Sequence, residues 1–226
     1  MNDAGPTPAA APRRGSLIVI SAPSGTGKSS LVKRLLAAAP DIVFSVSATT
    51  RPPRPGEKDG VDYHFVDRAG FERLIARDEL LEHADVHGNL YGTLRAPADR
   101  ERAAGRDVLL DIDVQGAGQV LAADRGAHLV FIVPPTRDEL ERRLRSRGLD
   151  APDIIAKRMR NAAGEMAEIH RFHRVVVNDD LERASGDLVT IVLARRLTPD
   201  AQSPRIDSIL ATFGLPPMAS GGGGGE

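Results

Sequence analysis

The chain has 226 residues, and its 30 Lys and Arg side chains nearly balance 31 Asp and Glu, for a formal net charge of −1 at pH 7. Hydrophobic residues make up 41% of it, which excludes a disordered chain, and the balanced charge argues against a protein that coats nucleic acid. This length suits one enzyme-sized domain with appendages as well as two small domains.

Cysteine is absent, which excludes disulfides, thiolate metal sites and a cysteine nucleophile. No apolar run approaches the roughly 18 residues that a membrane span requires. Residues 1–15 lack the apolar core of a secretory signal. We therefore expect a cytoplasmic protein without a membrane or nucleic-acid partner.

The two ends differ in composition from the middle of the chain. Residues 1–15 are rich in Ala and Pro, and residues 197–226 contain four prolines and finish in five glycines before Glu226. Neither end has a sustained apolar period. We expect a disordered N-terminal tail and a flexible C-terminal tail, with at most residual helix around Arg205 to Phe213.

Between the ends, apolar runs alternate with helical patterns. The first run, Leu17–Ile20, is short and continuous, as in a strand buried on both faces. Leu31, Leu35 and Ala38 then recur at the spacing of an amphipathic helix. Residues 51–98 break this rhythm with a proline-rich turn, a β-rich stretch and a short helical pattern, which predicts an inserted subdomain.

Two further buried strands are predicted at Val108–Leu110 and Leu129–Val133. After the second, Thr136 and Glu139 have the spacing of a capping box, which predicts the start of a helix. A last helix is predicted at about Leu181 to Arg195. Strands that alternate with helices imply an α/β fold, with a mostly parallel sheet that helices cover on both faces.

The strongest local motif, residues 22–29, has the spacing of a phosphate-binding P-loop, with Ala22 in place of the usual first glycine. Gly25 and Gly27 permit the backbone to aim N–H groups at one anion, and the next helix adds its N-terminal partial positive charge. Lys28 would reach the β- and γ-phosphates of a nucleotide, and the Ser29 hydroxyl would ligate Mg²⁺. A chance glycine-rich turn is the alternative, but the motif lies between a buried strand and an amphipathic helix, as a P-loop requires.

A second motif follows the strand at 108–110. Asp111 and Asp113 come at its carboxyl end, the edge at which open α/β sheets bind ligands. Asp111 is a candidate for the Mg²⁺ shell, and Asp113 for a contact with a second ligand. The alternative is that these carboxylates only cap the next helix.

From about Ser16 to Leu193 the chain resembles the guanylate kinases. The resemblance rests on residues 21–29, 44–54, 56–57, 62–65, 91–93, 110–116 and 177–180. A P-loop alone is shared by many families, whereas the run Thr49–Glu57 that follows it is far more specific.

This resemblance implies a P-loop kinase fold that transfers the γ-phosphoryl group of MgATP to GMP, giving ADP and GDP for GTP and dGTP synthesis and for GMP recycling. It implies a kinase domain over 16–196, with a core at 16–50, 99–135 and 161–196, a GMP-binding subdomain at 51–98 and a helical lid at 136–160. The substrates would be ATP and GMP or dGMP, with Mg²⁺ as cofactor. Monomer and homo-oligomer both stay open.

The resemblance also assigns roles to individual residues. The ATP site would comprise Ser21, Ala22, Pro23, Ser24, Gly25, Thr26, Gly27, Lys28, Ser29, Ser30 and Asn178. The GMP site would comprise Ser47, Arg51, Arg54, Glu57, Tyr63, Glu82, Tyr91, Thr93 and Asp113. Ser29 and Asp111 would serve the metal. The catalytic cations would be Lys28, Arg51, Arg143, Arg147 and Arg158.

The chemistry of the implied reaction accounts for these residue types. The acceptor is a phosphate oxygen that is already ionised, so catalysis needs no general base, only in-line positioning and neutralisation of charge. Arg51 and Arg54, with Tyr63 and Tyr91, would hold the GMP phosphate, because Arg can bind phosphate in a bidentate manner. The Glu82 carboxylate would accept the adjacent N1–H and N2–H₂ donors of guanine, which adenine does not present.

Each of these residues also has a purely structural interpretation. Arg51 and Arg54 could solvate a proline-rich loop, Glu82 could be a surface acid, and the lid arginines mingle with Glu139 and Glu141 as in a solvated helix. The alternative functions are a P-loop kinase for another nucleoside monophosphate and a guanylate-kinase-like binding module without catalysis. The presence of Lys28, Ser29 and the lid arginines argues against the module.

Overall fold

A five-stranded sheet and a smaller four-stranded sheet form the framework of the described chain. The computed structural model describes residues 13–86, 88–146, 148 and 151–218. Within them the strands are β1 (Leu17–Ser21), β2 (Val43–Phe44), β3 (Ala48–Thr49), β4 (His64–Phe65), β5 (Leu80–Val86), β6 (Asn89–Leu94), β7 (Val108–Asp111), β8 (His128–Val133) and β9 (Arg174–Val177). The helices are α1 (Lys28–Ala38), α2 (Arg68–Ala76), α3 (Arg95–Ala103), α4 (Val114–Ala123), α5 (Arg137–Ser146), α6 (Pro152–Ala167), α7 (Leu181–Arg195) and α8 (Pro199–Thr212), with a 3₁₀ turn at Glu168–Arg171.

The larger sheet has the strand order β2-β7-β1-β8-β9, and every pairing in it is parallel. The three strands predicted from continuous apolar runs are its three central members, because only a strand covered on both faces needs such a run. The predicted parallel α/β sheet is therefore confirmed. The edge strands β2 and β9 were not predicted.

Side chains of β1 alternate between two helical layers. Ile18 and Ile20 lie in one buried cluster with residues of α1 and α7, whereas Leu17 and Val19 lie in another with residues of α4. Burial on both faces holds β1 firmly in the sheet. The P-loop continues directly from the carboxyl end of this strand.

The smaller sheet has the order β4-β3-β6-β5 and is inserted between β2 and β7. Phe71 of α2 is fully buried beneath it, beside Ala48 and Leu80. This sheet corresponds to the subdomain predicted at 51–98, but it also takes β3 from the segment that was assigned to the core. A strand of two residues carries too short a pattern to be recognised before its partners are known.

Helices α5 and α6 occupy the predicted lid and pack on each other through a separate cluster of Leu140, Leu144, Ile155 and Ala162. The Thr136 hydroxyl accepts a hydrogen bond of 3.1 Å from the N–H of Glu139, so it caps α5 as predicted. The Glu139 carboxylate, which would complete a capping box, accepts hydrogen bonds from Arg142 and Arg143 instead. Helix α6 runs to Ala167, past the boundary predicted at 160.

Both ends of the described chain hold more structure than the sequence predicted. The expectation of a flexible tail from residue 197 is wrong for 199–212, which form α8 with Pro199 in its first turn and Ala201 buried. At the other end, Arg13 makes hydrogen bonds of 2.8 and 3.0 Å with the buried carboxylate of Asp107, which ties residues 13–15 to the core. Among the described residues, no helix is long and apolar enough to cross a membrane.

Candidate active site

The P-loop joins β1 to α1 through two glycines with positive φ, Gly25 at 93° and Gly27 at 97°. Between them, Thr26 is fully buried and its hydroxyl donates to the carbonyl of Pro23 at 2.6 Å. The carbonyl of Thr26 accepts hydrogen bonds from Asn178 Nδ2 at 2.6 Å and from Arg143 Nη1 at 3.2 Å. The loop is therefore held by its own turn, by the loop after β9 and by α5.

A cavity of about 320 Å³, the phosphate cavity, opens beside this loop. It is lined by Ala22, Pro23, Ser24, Gly25, Gly27, Lys28, Ser29, Ser30 and Glu165. The remaining predicted ATP residues lie beneath the loop: Thr26 and Asn178 hold it, and Ser21 is buried at the end of β1. The structure thus brings the predicted ATP residues together, with Asn178 acting on the loop itself.

Lys28 connects the two sequence motifs. Its ammonium group forms an ion pair with Asp111 and donates to the carbonyl of Ile112 at 3.4 Å, both at the carboxyl end of β7. Because β1 and β7 are parallel neighbours, the P-loop lysine and the strand-end aspartate start from the same edge of the sheet. Lys28 lines the phosphate cavity and also the next cavity described.

That second cavity, the Glu82 cavity, has a volume of about 210 Å³. Its polar lining consists of Lys28, Ser47, Tyr63, Glu82, Tyr91, Asp111 and Asp113. These side chains come from both sheets, from the first residue of α1 and from loops next to the strands. Five of the residues predicted to bind GMP therefore converge on it: Ser47, Tyr63, Glu82, Tyr91 and Asp113.

Glu82 is only 6% exposed, and its Oε1 accepts a hydrogen bond of 2.7 Å from the buried hydroxyl of Thr93. Burial raises the pKa of Glu82 to about 7; the Thr93 hydrogen bond opposes this rise, and the charge of Asp113 adds to it. The interpretation of Glu82 as a surface acid is thus wrong. Near neutral pH, a modest change in the surroundings of Glu82 is therefore enough to protonate or to ionise its carboxyl group.

Arg51 is held by a network on the proline-rich loop. Its Nη2 lies 2.8 Å from Glu57 Oε1, and Glu57 Oε2 accepts a hydrogen bond of 2.7 Å from the N–H of Arg54. The guanidinium also lies 5.4 Å from the ring centre of Tyr63, whose ring is in edge contact with that of Tyr91. The hydrogen bond to Glu57, with a further one to Tyr91, raises the pKa of Arg51.

Glu57 therefore lies behind Arg51 and orients it, whereas the side chain of Arg54 projects from an exposed loop position. The same Arg51 hydrogen bond lowers the pKa of Glu57, so both partners keep their charges. Arg51 is thus not a freely solvated side chain, as it would be if it only solvated the proline-rich loop.

The two aspartates after β7 have different local roles. Asp111 is paired with Lys28, whereas Asp113 is the N-cap of α4 and accepts a hydrogen bond of 2.8 Å from the N–H of Gly116. The capping alternative therefore applies to Asp113. Asp113 still lines the Glu82 cavity, so capping and ligand contact share one side chain.

The lid arginines fall into separate groups. Arg143 accompanies the P-loop: beyond its contact with Thr26, its Nη2 donates to the carbonyl of Asn178 at 2.9 Å. Arg142 pairs with Glu139 at 2.6 Å on the exposed face, as in a solvated helix, and this contact with the adjacent one from Arg143 lowers the pKa of Glu139 to about 2. Arg158 is part-exposed on α6, and Arg147 lies outside the described residues.

Glu165 is a functional candidate that the sequence did not indicate. It lies on α6, lines the phosphate cavity, and its Oε2 is buried without a hydrogen-bond partner among the described residues. Burial raises the pKa of Glu165, while the nearby charge of Lys28 opposes the rise. A glutamate in a helix rich in charged residues carries no local signal that it faces a P-loop some 140 positions earlier.

The two groups predicted to serve a metal ion are the Ser29 hydroxyl, in the phosphate cavity, and the Asp111 carboxylate, in the Glu82 cavity. Within the described ranges, no group of three or more His, Cys, Asp or Glu residues could hold a metal ion. Hard oxygen donors in small number suit Mg²⁺, which retains several waters and binds proteins through one or two groups together with substrate phosphates. The residues present fit Mg²⁺ that arrives with a nucleotide.

Comparison with known proteins identifies the relatives of this arrangement. The family model described as "Guanylate kinase" matches residues 14–195. A guanylate kinase of Thiobacillus denitrificans is 49% identical over 92% of this chain and 98% of its own length. One of Nitratidesulfovibrio vulgaris is 51% identical over 88% and 96%, respectively. The crystal structure of guanylate kinase from Anaplasma phagocytophilum is similar with a TM-score of 0.71 at 32% identity, covering 92% of this chain and all of that one.

Proposed function

This chain belongs to the guanylate kinase family of nucleoside monophosphate kinases, and from that premise we propose how it acts. It transfers the γ-phosphoryl group of ATP to GMP, giving ADP and GDP for GTP and dGTP synthesis and for GMP recycling. The observation that carries this proposal is that Lys28 lines both the phosphate cavity and the Glu82 cavity. A cation between two nucleotide sites suits a reaction in which negative charge moves from one phosphate to another.

ATP binds with its β- and γ-phosphates in the phosphate cavity. The backbone N–H groups of the P-loop and the N-terminus of α1 supply the anion site. Thr26 holds the loop through its contacts with Asn178 and Arg143, so little of the binding energy is spent on ordering it. Lys28 exchanges its Asp111 partner for phosphate oxygen when the nucleotide enters.

The Ser29 hydroxyl and the Asp111 carboxylate are the protein groups that would hold Mg²⁺ together with ATP. A metal ion there would supply positive charge to offset that of the β- and γ-phosphates. Release of Lys28 from Asp111 frees the aspartate for this role at the moment when the lysine turns to the phosphates. One ion pair thus holds both groups in place between turnovers.

GMP binds across the smaller sheet. Arg51 and Arg54, with the hydroxyls of Tyr63 and Tyr91, hold its phosphate, and Glu57 keeps Arg51 oriented. At the other end, the ionised Glu82 accepts N1–H and N2–H₂ of guanine, assisted by Ser47, Thr93 and Asp113. Adenine would place its N1 lone pair against this carboxylate, so a buried site of this kind discriminates strongly between the two bases.

Transfer requires the acceptor oxygen of GMP to lie in line with the γ-phosphorus of ATP. It requires no general base, because that oxygen is already ionised. Arg143, Arg147 and Arg158 neutralise the charge that spreads over the transferring group when the lid closes, on a timescale of roughly microseconds to milliseconds. Closure also excludes water, which would otherwise compete with GMP as the acceptor.

We place the protein in the cytoplasm, because its substrates ATP and GMP are found there.

A substrate panel tests the proposal. The chain is assayed with MgATP and each of GMP, dGMP, AMP, UMP and dTMP in a coupled assay for ADP. We expect phosphorylation of GMP and dGMP, with the other bases lower by several orders of magnitude. Preference for any base other than guanine would show a different nucleoside monophosphate kinase. A chain that binds GMP without turnover would show a binding module.

A further inference from the structure

The guanine-reading carboxylate of the proposed function lies on a strand whose outer edge is paired with a side chain of α4. β5 is an edge strand of the smaller sheet, and among the described residues β6 is its one strand partner. The N–H of His83, next to Glu82, donates to Gln119 Oε1 at 3.0 Å, and Gln119 Nε2 donates to the carbonyl of His83 at 2.9 Å. The carboxamide therefore makes the two hydrogen bonds that a neighbouring strand would make.

The pairing of β5 with β6 is irregular at this place. Leu80 pairs with Leu94, but Glu82 pairs with Thr93, so Leu81 is an additional residue on the β5 side. Irregularities of this kind re-aim the next side chain and leave its direction less firmly determined by the ladder. A second attachment immediately after Glu82 compensates for that loss.

Helix α4 also contacts the carboxylate directly. A Cβ atom at Gly116 would lie 2.8 Å from Glu82 Oε2 and 3.3 Å from its Cδ, so the carboxylate rests against the bare Cα of this glycine. Gly116 and Gln119 are three residues apart and share one face of α4. Since Thr93 holds the other oxygen, Oε1, the carboxylate is bounded by β6 on one side and by α4 on the other.

We propose that Gln119 is a positioning residue for base recognition: by pairing with His83 it sets the distance between β5 and α4, and thereby the position in which Glu82 meets guanine. The proposal rests on the function proposed above. Helix α4 follows β7 and packs on the larger sheet, so Gln119 ties the base-reading carboxylate to the body that carries Lys28 and Asp111. The base and the acceptor phosphate of GMP are thereby both positioned relative to the larger sheet.

The surroundings of Gln119 separate this role from a stabilising one. Its side chain is exposed, so when the carboxamide is removed water replaces both hydrogen bonds of His83. The cost to folding is consequently small. The cost to recognition is larger, because two adjacent hydrogen bonds to guanine demand a defined carboxylate position.

The test uses Gln119→Met, which keeps the length of the side chain and removes both hydrogen bonds. GMP is compared with inosine 5′-monophosphate, which lacks only the 2-amino group. We expect the KM for GMP to rise about three- to tenfold, the range that corresponds to one weakened neutral hydrogen bond. The kcat at saturating GMP and the KM for ATP stay unchanged, and the preference for GMP over the inosine nucleotide falls by a similar factor.

Two further variants sharpen the result. Gln119→Glu keeps an acceptor for the N–H of His83 but loses the donor, so its GMP affinity should fall between those of wild type and Gln119→Met. Gly116→Ala pushes on the carboxylate itself and should weaken GMP more than either. Gln202→Met is the matched control, because Gln202 Nε2 makes a hydrogen bond of 2.8 Å to the carbonyl of Arg196, outside both cavities.

Calorimetric titration of GMP without ATP gives a readout that is independent of turnover. An unchanged GMP affinity and an unchanged base preference in Gln119→Met overturn the proposal. So does an equal loss in kcat, in the KM for ATP and in thermal stability, which would indicate general damage. A wild-type chain that does not prefer GMP refutes the proposed function, whereas a wild-type preference kept by Gln119→Met refutes only the role of Gln119.

Discussion

Glu82 is a carboxyl group whose protonation state decides what it can recognise. Protonated, it is a donor as well as an acceptor; ionised, it can accept both neighbouring donors of guanine. Burial raises its pKa to about 7, so the free protein holds a mixture of both forms at neutral pH. In the proposed function, guanine binds the ionised form and draws the equilibrium toward it.

We therefore expect GMP affinity to weaken as the pH falls from 8 to 6, with proton release on binding near pH 7. The sign follows from linkage: a group with a raised pKa in the free protein must lose its proton to bind two donors, and acid opposes that loss. Calorimetry in buffers of different ionisation enthalpy measures the protons released. The phosphate monoester of GMP itself titrates at about pH 6, so part of the pH dependence belongs to the ligand. Glu82→Gln keeps that part and removes the carboxyl group, and is therefore the reference. An identical pH profile in this variant would contradict the role of Glu82.

Lys28 makes a second prediction at the level of one residue. Lys28→Ala removes the cation shared by both cavities, so turnover should fall by on the order of a hundredfold or more, as when one charge-stabilising donor is deleted. GMP affinity in calorimetry should change little, because arginines and tyrosines hold its phosphate. Retention of turnover would mean that the P-loop is not the phosphate site.

At the scale of elements, the P-loop depends on two neighbouring segments. Helix α5 reaches it through Arg143, and the loop after β9 reaches it through Asn178. A Cβ atom at Gly27 would lie 2.5 Å from Asn178 Nδ2, so the close approach of these two loops requires a glycine, in addition to the φ of 97°. The glycine spacing seen in the sequence thus reflects a tertiary contact as well as phosphate binding.

Gly27→Ala should therefore weaken ATP binding at least about tenfold and lower the free energy of unfolding by about 1–3 kcal/mol, the usual cost of a strained backbone position. Titration with ATP and urea unfolding measure the two effects. Gly186→Ala is the control: Gly186 lies within α7 with nothing near its Cα, so the protein should gain about 0.5–1 kcal/mol. Normal ATP affinity in Gly27→Ala would show that this loop conformation is not needed for phosphate binding.

The elements differ in how far the sequence predicts them. The central strands and α7, at Leu181–Arg195, were predicted closely because each has a strong periodic pattern. Helix α8 was anticipated only as residual helix around Arg205 to Phe213, because it has little apolar periodicity and only Ala201 is buried among its residues. Of the two-residue strands of the smaller sheet, β3 was missed and β4 lies in a stretch that was described only as β-rich. Both strands depend on partners far along the chain.

At the scale of the whole molecule, one buried carboxylate joins both ends of the described chain to the core. Asp107, which precedes β7, accepts hydrogen bonds from Arg13, from the N–H of Ser16 and from Arg196 Nε at 2.8 Å. Burial by itself raises the pKa of Asp107, but these partners outweigh it and the net pKa is lowered. The charged form is thus the one that stabilises the fold.

Asp107→Asn should lower the free energy of unfolding by about 3 kcal/mol, the low end for breaking a buried ion pair, since both arginines remain partly solvated. Because the pKa is lowered in the folded state, this contribution is complete above the unfolded pKa of about 4 and is lost as the pH falls further. Urea unfolding at pH 7 and at pH 3 measures both effects. Glu72→Gln, at a 59% exposed side chain 3.9 Å from Arg68, should change stability by less than about 0.5 kcal/mol; an equal loss there would refute a special role for Asp107.

The sequence alone determined the α/β class, the P-loop and the residues that resemble those of a nucleotide kinase, because these depend on local periodicity and on short runs of consecutive residues. It left open which interpretation of each polar residue holds, since Glu82, Arg51 and Asp113 each had a structural alternative. Only the tertiary structure decided that Glu82 is buried and that Asp113 caps a helix while lining a cavity. It also decided that Glu165 lines the phosphate cavity and that Gln119 pairs with His83, next to Glu82. The physical reason is that burial and charge pairing are properties of groups distant in sequence, which the fold alone brings together.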